Sequence, residues 1–368
     1  MTDKTGILTT KLDELQKEYS KTKYNKATNL HLGILRAKIS RVKKEIIQSK
    51  KKIHGEGFFV KKAGDATVAL IGFPSAGKSS LINAICNTRS KTAQYAFTTT
   101  SIIPGTMVYK DAHIQIFDMP GLIEDAHLGA GGGRMVISGM KAADLIVFVI
   151  DINILGQFDK LMRELESLEI KVNKRRPSMR ITEKITGGIH IEVNKSGLPK
   201  RDIEEILQGL GIHNADVSIW DRVNDDDLIS LVSGKAQYMR AMTVLNKIDT
   251  IKDYGKIALD FERKHEIATV PISATERTNI DLLRDAIYRN LGIITVYLKP
   301  RVGDERLMPM ILRQGSTVGD AARKFHTQIV DELKCAQILG RSAKFSNQKV
   351  GVSHVLQEGD TITFIKNK

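Results

Sequence analysis

The sequence predicts an α/β protein built on a mostly parallel, doubly wound sheet, with smaller domains before, within and after it. From about Ala66, apolar runs typical of strands alternate with helical patterns, which is the order of a parallel sheet covered on both faces. The run from Asp144 to Asp151 is continuously apolar between its two aspartates, as a buried central strand would be. A glycine-rich loop joins the first predicted strand to its helix.

That loop reads Gly72-Phe-Pro-Ser-Ala-Gly-Lys-Ser79 and separates the apolar run ending at Ile71 from a helical pattern. In this order the glycines let backbone N–H groups converge on a phosphate, and the helix N-terminus adds its dipole. Lys78 would reach the β- and γ-phosphates, and Ser79 would hold Mg²⁺. The predicted phosphate contacts are Gly72, Pro74, Ser75, Ala76, Gly77, Lys78, Ser79 and Ser80.

A second pattern selects the base. Asn246-Lys247-Ile-Asp249 directly follows an apolar strand. The Asp249 carboxylate can accept both N1–H and N2–H₂ of guanine, whereas adenine presents an acceptor at N1. Asn246 would bond the base N7 or tie loops together, and the Lys247 stem would lie along the ring. Ser273-Ala274 follows the next strand, and the Ala274 N–H would read the guanine O6.

Two further segments are predicted to complete a magnesium site and a switch. Asp118-Met-Pro-Gly121 follows a strand, so Asp118 would hold the Mg²⁺ shell and the Gly121 N–H would bond the γ-phosphate. Within Phe97-Thr-Thr-Thr100, Thr99 is favoured as the second metal hydroxyl, with Thr98 as the alternative. Segments held only by a γ-phosphate and its metal are released on hydrolysis. The predicted catalytic residues are Lys78, Thr99 and Gly121.

Leu122 occupies the position after Asp-x-x-Gly where many GTPases carry a Gln that orients the attacking water. The water must then be ordered by backbone, by a monovalent cation such as K⁺, or by a partner. We therefore expect slow intrinsic turnover that a bound partner accelerates.

The chain before the sheet is predicted to form a basic helical hairpin. Leu8, Leu12, Leu15 and Tyr19 share one helical stripe, and Leu32 to Ile46 carry a second stripe, with a turn near Asn25 to Asn29. Between Asp151 and Arg240 the strand–helix rhythm breaks, which indicates an inserted αβ module; Trp220 is expected in its core. After Gly292, several strands and one helix capped by Thr317 and Asp320 resemble a β-grasp domain.

Composition places the basic charge at the two ends. The net charge is +14, residues 1–62 hold 16 Lys/Arg against 6 Asp/Glu, and residues 293–368 hold 12 against 7. This distribution favours contact with a polyanion such as RNA, although a solvated lysine-rich surface has the same composition. Cys86 and Cys335 are expected to be ordinary thiols. No apolar run is long enough to span a bilayer and no signal-peptide pattern is present, so we expect a cytoplasmic protein without membrane contact.

Together these motifs resemble the Obg branch of the translation-factor-related GTPases. Within it the chain is similar to the developmentally regulated GTP-binding proteins along nearly its whole length. Asn25-Lys-Ala-Thr28 with His31-Leu-Gly33 matches that family's N-terminal hairpin, and Ile212 to Val217 lies in its inserted module, which resembles a ribosomal S5 domain 2 fold. Ser316 to Ala321, Gly340 to Lys344 and Gly351 to Leu356 match its TGS domain.

The resemblance implies four segments. They are a helical hairpin over 1–55, a GTPase domain over 64–165 and 236–292, an inserted module over 166–235 and a TGS domain over 293–368. It also implies hydrolysis of GTP to GDP and phosphate. The expected partners are the ribosome or its RNA, bound through the hairpin and the TGS domain, and a stimulatory protein in some lineages. Ser75 stands where potassium-activated relatives carry Asn, so potassium dependence is left open.

Two other functions remain compatible with the sequence. The chain could be an RNA-binding scaffold in which GTP is a structural ligand, since both Leu122 and the charged ends permit this. It could also be an ATP-dependent P-loop enzyme, in which case Asp249→Asn would leave nucleotide choice unaffected.

Overall fold

A computed structural model gives the fold of residues 3–22, 29–50, 64–86, 88–89, 105–119, 140, 142–234, 236–299, 307–326 and 333–366. The chain divides into two compact units, each formed by two separate stretches of sequence. One unit comprises Met1–Gly57 and Leu165–Met239, and the other comprises Phe58–Glu164 and Arg240–Lys368. The domain boundaries given above remain predictions.

A seven-stranded sheet forms the centre of the second unit. Its strands are β1 (Ala66–Ile71), β2 (Thr88–Arg89), β3 (Gly105–Tyr109), β4 (Ala112–Asp118), β5 (Leu145–Asp151), β11 (Ala241–Asn246) and β12 (Thr269–Pro271). Their order is β12-β11-β5-β1-β4-β3-β2. The five strands from β12 to β4 run parallel; β3 is antiparallel to β4, and β2 is antiparallel to β3. The predicted mostly parallel sheet is therefore confirmed, with β5 inside it and buried at every residue.

Helices cover both faces of this sheet. They are α3 (Lys78–Ile85), α4 (Gln157–Ser167), α7 (Tyr254–His265) and α8 (Ile280–Leu291). Alternation along β5 sends Val147 and Val149 into the same buried cluster as α3 and α8. Phe148 points to the other face, where its ring packs against Phe158 at 5.1 Å between centroids. The doubly wound arrangement places the carboxyl ends of the parallel strands together, where such folds bind ligands.

The last part of the second unit is the predicted β-grasp module. It contains β13 (Ile293–Leu298), β14 (Met308–Arg313), α9 (Val318–Phe325), β15 (Leu333–Leu339), β16 (Gln348–Val350) and β17 (Thr361–Lys366). The strands follow the order β14-β13-β17-β15-β16, and α9 packs on one face. Thr317 and Asp320 form a complete capping box at the start of α9, as predicted.

The first unit begins with the predicted hairpin. Its helices are α1 (Asp3–Lys21) and α2 (Asn29–Lys50), and they pack against each other. Leu32, Leu35 and Val42 of α2 are buried, with Leu35 only 1% exposed. Arg36 donates to the Tyr19 hydroxyl over 2.7 Å and also pairs with Asp226, so α2 is bonded both to α1 and to the inserted segment.

The inserted segment of the first unit contains two small sheets and two helices. Its elements are β6 (Ile170–Val172), β7 (Met179–Glu183), β8 (Ile189–Asn194), α5 (Lys200–Gly209), β9 (Ala215–Ile219), α6 (Asp225–Val232) and β10 (Gln237–Met239). β6 pairs with β10, and β7-β9-β8 form the other sheet. Helix α2 packs on α5 and α6. The hairpin and the insertion thus share one compact unit.

Three features of this segment were not predicted. They are strand β7, the β6–β10 pair and helix α6, whose N-cap residue Asn224 accepts from the Asp227 N–H over 2.8 Å through its side chain. The expectation that Trp220 lies in the core is wrong, since Trp220 is 42% exposed. Trp220 lies one residue past the end of β9 at the buried Ile219, so it does not continue the buried face of that strand. No helix in the described parts of the chain is both long and apolar enough to span a bilayer.

Candidate functional site

The glycine-rich loop connects the buried strand β1 to helix α3 at the carboxyl edge of the sheet. Gly77 has a φ of 92°, in the left-handed region that favours glycine, and it immediately precedes the first residue of α3. A Cβ at Gly77 would collide with the side-chain amide of Asn246, and a Cβ at Gly72 would collide with the Val149 carbonyl. Both glycines are therefore required by close approach of neighbouring strand ends.

Lys78 is the first residue of α3, and its side chain folds back onto this loop. Its Nζ donates to the carbonyl oxygens of Gly72 over 3.0 Å and of Phe73 over 3.3 Å. The same ammonium lies 3.9 Å from the Asp118 carboxylate. The loop thus wraps around a positive charge, and that charge is placed beside the carboxylate that ends β4.

Asp118 carries a buried carboxylate oxygen, Oδ1. Within the described residues no group donates to its Oδ1. Burial raises the pKa of this carboxyl, and the nearby Lys78 partly offsets the shift. A buried carboxylate oxygen without a donor is the kind of ligand that a hard cation satisfies. The residues therefore fit a magnesium ion, which would be held by Asp118 together with the exposed hydroxyl of Ser79 in the first turn of α3.

Most of the remaining residues of the glycine-rich loop and the start of α3 are exposed to solvent. Pro74, Ser75, Ser79 and Ser80 are exposed, whereas Ala76 is buried. Ser75 has a φ of 65°, so the backbone reverses direction at that residue. The loop consequently presents exposed backbone and hydroxyl groups next to the start of α3, where N–H groups lack helical acceptors.

Asn246 ties two loops together. Its Nδ2 donates to the Ala76 carbonyl over 2.9 Å, and its Oδ1 accepts from the Ala274 N–H over 3.0 Å. Of the two roles considered for Asn246, the structure shows the loop tie. The Ala274 N–H predicted to read the guanine O6 is thus engaged by Asn246, and its contact with the base remains a prediction. Ser273 is fully buried, and its hydroxyl accepts from the Glu276 N–H over 3.1 Å.

Asp151 is a residue of this site that sequence reasoning did not assign. Lys247 adopts a φ of 68°, and its Nζ donates to Asp151 Oδ2 over 2.7 Å. The Asn153 N–H and side-chain amide donate to the other carboxylate oxygen at 3.0 and 2.8 Å. Burial works to raise the pKa of Asp151, but the hydrogen bonds from Lys247 and Asn153 outweigh it and the pKa lies below its ordinary value. The sequence signal that could have identified Asp151 is its position at the end of the apolar strand β5. In the structure it is the register neighbour of Asn246.

Asp249 lies in a short 3-10 turn over Ile248–Thr250, and its side chain is exposed. Ile248 beside it is buried, with its N–H bonded to the Ile272 carbonyl over 3.1 Å. The backbone of the turn is therefore anchored while the carboxylate stays free to meet a ligand. The predictions for Thr98, Thr99, Gly121 and Leu122 lie outside the described residues.

Three family models match successive parts of the chain. A 50S ribosome-binding GTPase model matches residues 67–184, and a model of the C-terminal region of that domain matches residues 186–293. A TGS domain model matches residues 294–366.

Similar proteins from archaea and eukaryotes match the chain almost from end to end. An uncharacterized GTP-binding protein of Methanocaldococcus jannaschii is 38% identical over 95% of this chain and 91% of its own length. GTP-binding protein 1 of Schizosaccharomyces pombe is 38% identical over 98% of this chain and 99% of its own. Developmentally-regulated GTP-binding protein 2 of Homo sapiens is 36% identical over 98% of this chain and all of its own. This chain therefore belongs to the developmentally-regulated GTP-binding protein family and carries a P-loop GTPase domain followed by a TGS domain.

Proposed function

We propose that the chain is a magnesium-dependent GTP switch that acts in the cytoplasm with the ribosome or translation factors. Its intrinsic turnover is slow and a partner accelerates it. The observation that carries the magnesium-dependent site is the arrangement of Lys78 and Asp118, with an ammonium 3.9 Å from a buried carboxylate whose Oδ1 has no donor within the described residues.

Lys78 would bind the terminal phosphates when GTP enters the loop. Its Nζ donates to two loop carbonyls, and phosphate oxygens would compete for those donors because a charged acceptor forms the stronger hydrogen bond. Asp118, Ser79 and, by sequence, Thr99 would hold Mg²⁺. The ion supplies neutralisation of the charge that develops on the transferred phosphoryl group.

The base would be selected by Asp249. Its carboxylate is exposed on an anchored turn and accepts hydrogen bonds only, which suits the two donors on the guanine edge. Asn246 would keep the phosphate loop and the Ser273-Ala274 loop at a fixed separation, so the two ends of the nucleotide are recognised in register.

Slow turnover is inferred from Leu122, because an aliphatic side chain cannot orient the attacking water. Backbone groups, K⁺ or a partner must then supply that function. A chain of this kind would persist in its GTP form until it meets its stimulatory partner.

The ribosomal part of the proposal rests on the description of the family model and on charge. The model matching residues 67–184 is named for 50S ribosome binding, and both ends of the chain carry a basic excess. Ribosomal RNA is the polyanion that would meet the hairpin and the TGS domain. Binding of this kind weakens as salt rises, because it releases condensed counterions.

Co-sedimentation with ribosomes tests the switch directly. The full chain is mixed with ribosomes in GDP or in a non-hydrolysable GTP analogue, at two salt concentrations, and phosphate release is measured with and without ribosomes. We expect tighter binding of the GTP-analogue form, weaker binding at the higher salt and faster hydrolysis on ribosomes. Nucleotide-independent binding without stimulation would instead support the scaffold function, in which GTP is a structural ligand.

A further inference from the structure

The turn between β3 and β4 lies at the far end of the strand that carries Asp118. Lys110 and Asp111 form this turn, with φ values of 48° and 60°. β3 and β4 pair along their whole length, from Tyr109 with Ala112 to Gly105 with Ile116. The β3–β4 hairpin therefore connects the chain segment containing Thr99, which precedes β3, to Asp118 at the end of β4.

A strand of the TGS domain holds this turn. Thr295 Oγ1 donates to the Lys110 carbonyl over 2.7 Å, and the Tyr297 hydroxyl donates to Asp111 Oδ2 over 2.9 Å. Both residues lie on one face of β13, because they are two positions apart. Thr295 is only 1% exposed, so its hydrogen bond is shielded from water.

Thr295 is itself held in place. Glu358 Oε2 accepts from the Thr295 N–H over 2.9 Å and from the Tyr288 hydroxyl over 2.8 Å. The Tyr288 oxygen also lies 2.8 Å from Thr295 Oγ1. The donor to the Lys110 carbonyl is thus fixed by groups from both α8 and the TGS domain.

Helix α8 holds the same turn from the side of the GTPase domain. Asp285 accepts from the Tyr109 hydroxyl over 3.0 Å and from Lys110 Nζ over 3.4 Å. The Lys110 ammonium also lies 4.9 Å from the centre of the Tyr288 ring, within the range of a cation–π contact. The end of the hairpin is clamped by hydrogen bonds, charge and an aromatic face.

The TGS strands β13 and β14 and the β3–β4 hairpin share one apolar core. Ile293 and Ile311 of the TGS strands belong to the same buried cluster as Met107 of β3 and Ile114 of β4. A close-packed core resists relative displacement of its members. The turn and β13 are therefore expected to move together.

Strand β4 transmits this restraint to the nucleotide site. A strand is extended at about 3.3 Å per residue and does not shorten, so fixing Asp111 before its first residue restrains Asp118 at its last. Asp118 Oδ1 has no hydrogen bond of its own within the described residues. Its nearest charged neighbour in the described part of the chain is the Lys78 ammonium at 3.9 Å, so the backbone of β4 is the main restraint on where this carboxylate lies.

We propose that Thr295 and Tyr297 are positioning residues of the GTPase, because the TGS strand β13 fixes the β3–β4 turn and thereby the position of Asp118 toward magnesium. This inference rests on the proposed function, since it needs Asp118 to act on the metal. Coupling between two sites is reciprocal. A partner that shifts β13 would therefore change magnesium affinity, and magnesium with GTP would change affinity for that partner.

The test is the magnesium dependence of two quantities in full-length variants: equilibrium binding of a fluorescent, non-hydrolysable GTP analogue, which needs no turnover, and GTP hydrolysis. Thr295→Val keeps the shape of the side chain and removes its hydroxyl. We expect the half-saturating Mg²⁺ concentration to rise about 5-fold, the equivalent of one net hydrogen bond. The rate at saturating Mg²⁺ should change less than this. Thr295→Ser should restore the wild-type value, and Tyr297→Phe should give a smaller rise in the same direction.

Thr363→Val is the matched control. Thr363 lies on the same face of the same sheet, and its hydroxyl has no hydrogen bond within the described residues. The positioning role would be overturned if Thr295→Val and Tyr297→Phe showed the same magnesium dependence as Thr363→Val. It would also be overturned if Thr295→Ser failed to restore the wild-type magnesium dependence. If Thr295→Val does not fold, the result for Tyr297→Phe decides. Wild-type hydrolysis that is indifferent to Mg²⁺ would instead overturn the proposed function itself.

Discussion

The side-chain amide of Asn246 bridges the Ala76 carbonyl and the Ala274 N–H, at 2.9 and 3.0 Å. Asn246 is 3% exposed, so both hydrogen bonds are buried. One buried side chain thus sets the separation between the phosphate loop and the loop predicted to meet the base.

Replacing Asn246 by Ala should weaken GTP and GDP binding together. The change leaves a buried carbonyl and a buried N–H unpaired, so we expect the free energy of unfolding to fall by about 2 kcal/mol or more. Nucleotide dissociation rates and chemical denaturation measure the two effects. Asn83→Ala is the control, because Asn83 is exposed on α3. Loss of GTP affinity with unchanged GDP affinity would contradict the bridging role.

Asp249→Asn should change the choice of base. An amide offers one acceptor and one donor, so it cannot accept from both N1–H and N2–H₂ of guanine, whereas it can donate to the C2 carbonyl of xanthine. We expect a loss of about 100-fold in GTP affinity and a gain for xanthosine triphosphate, measured by competition. Asp253→Asn, at a nearby exposed carboxylate, should leave both affinities unchanged. Unaltered nucleotide choice in Asp249→Asn would favour the ATP-dependent alternative.

Leu122→Gln should leave GTP affinity nearly unchanged and raise the intrinsic rate of hydrolysis. A carboxamide at this position can orient the attacking water, which Leu cannot do. Single-turnover phosphate release and equilibrium binding separate the two quantities. Leu122→Asn is the control, since its shorter side chain places the carboxamide differently. A large drop in affinity would show that Leu122 lies elsewhere than beside the γ-phosphate.

The capping box of α9 predicts a pH-dependent stability difference. The Thr317 N–H donates to Asp320 over 2.8 Å, and this bond, with those from Arg323 and the Thr317 hydroxyl, lowers the pKa of Asp320 to about 2. The pKa of an Asp side chain in an unfolded chain is about 3.9. The stabilisation is therefore fully present well above pH 4 and is lost as the pH falls toward 2.

Asp320→Asn should accordingly cost about 1 kcal/mol of unfolding free energy at pH 7. The difference from wild type should fade as the pH falls from about 5 to about 2, as followed by urea denaturation. Asp260→Asn, at an exposed carboxylate of α7, provides the control. A difference that stays constant over this range would show that ionised Asp320 does not cap the helix.

The sequence carried most of the fold because its signals were local and repeated. The apolar run before Asp151, the glycine loop before Lys78 and the Thr317–Asp320 spacing each have one favoured structure. Trp220 was assigned wrongly because the sequence alone does not show where the preceding strand ends or which of its faces is buried. The hydrogen bonds of Asn246 and the ion pair between Lys247 and Asp151 were not predicted. They join segments that are distant in sequence, and no local sequence pattern indicates which residues will be in contact.

The GTPase and TGS domains meet with no linker between them, since α8 ends at Leu291 and β13 begins at Ile293. Ile293 and Ile311 complete a core that the preceding domain cannot close alone. A protein truncated after Gly292 would expose this apolar surface to water and should aggregate. The two family models meet between residues 293 and 294, but the shared core means that the polypeptide cannot be divided there without uncovering apolar surface.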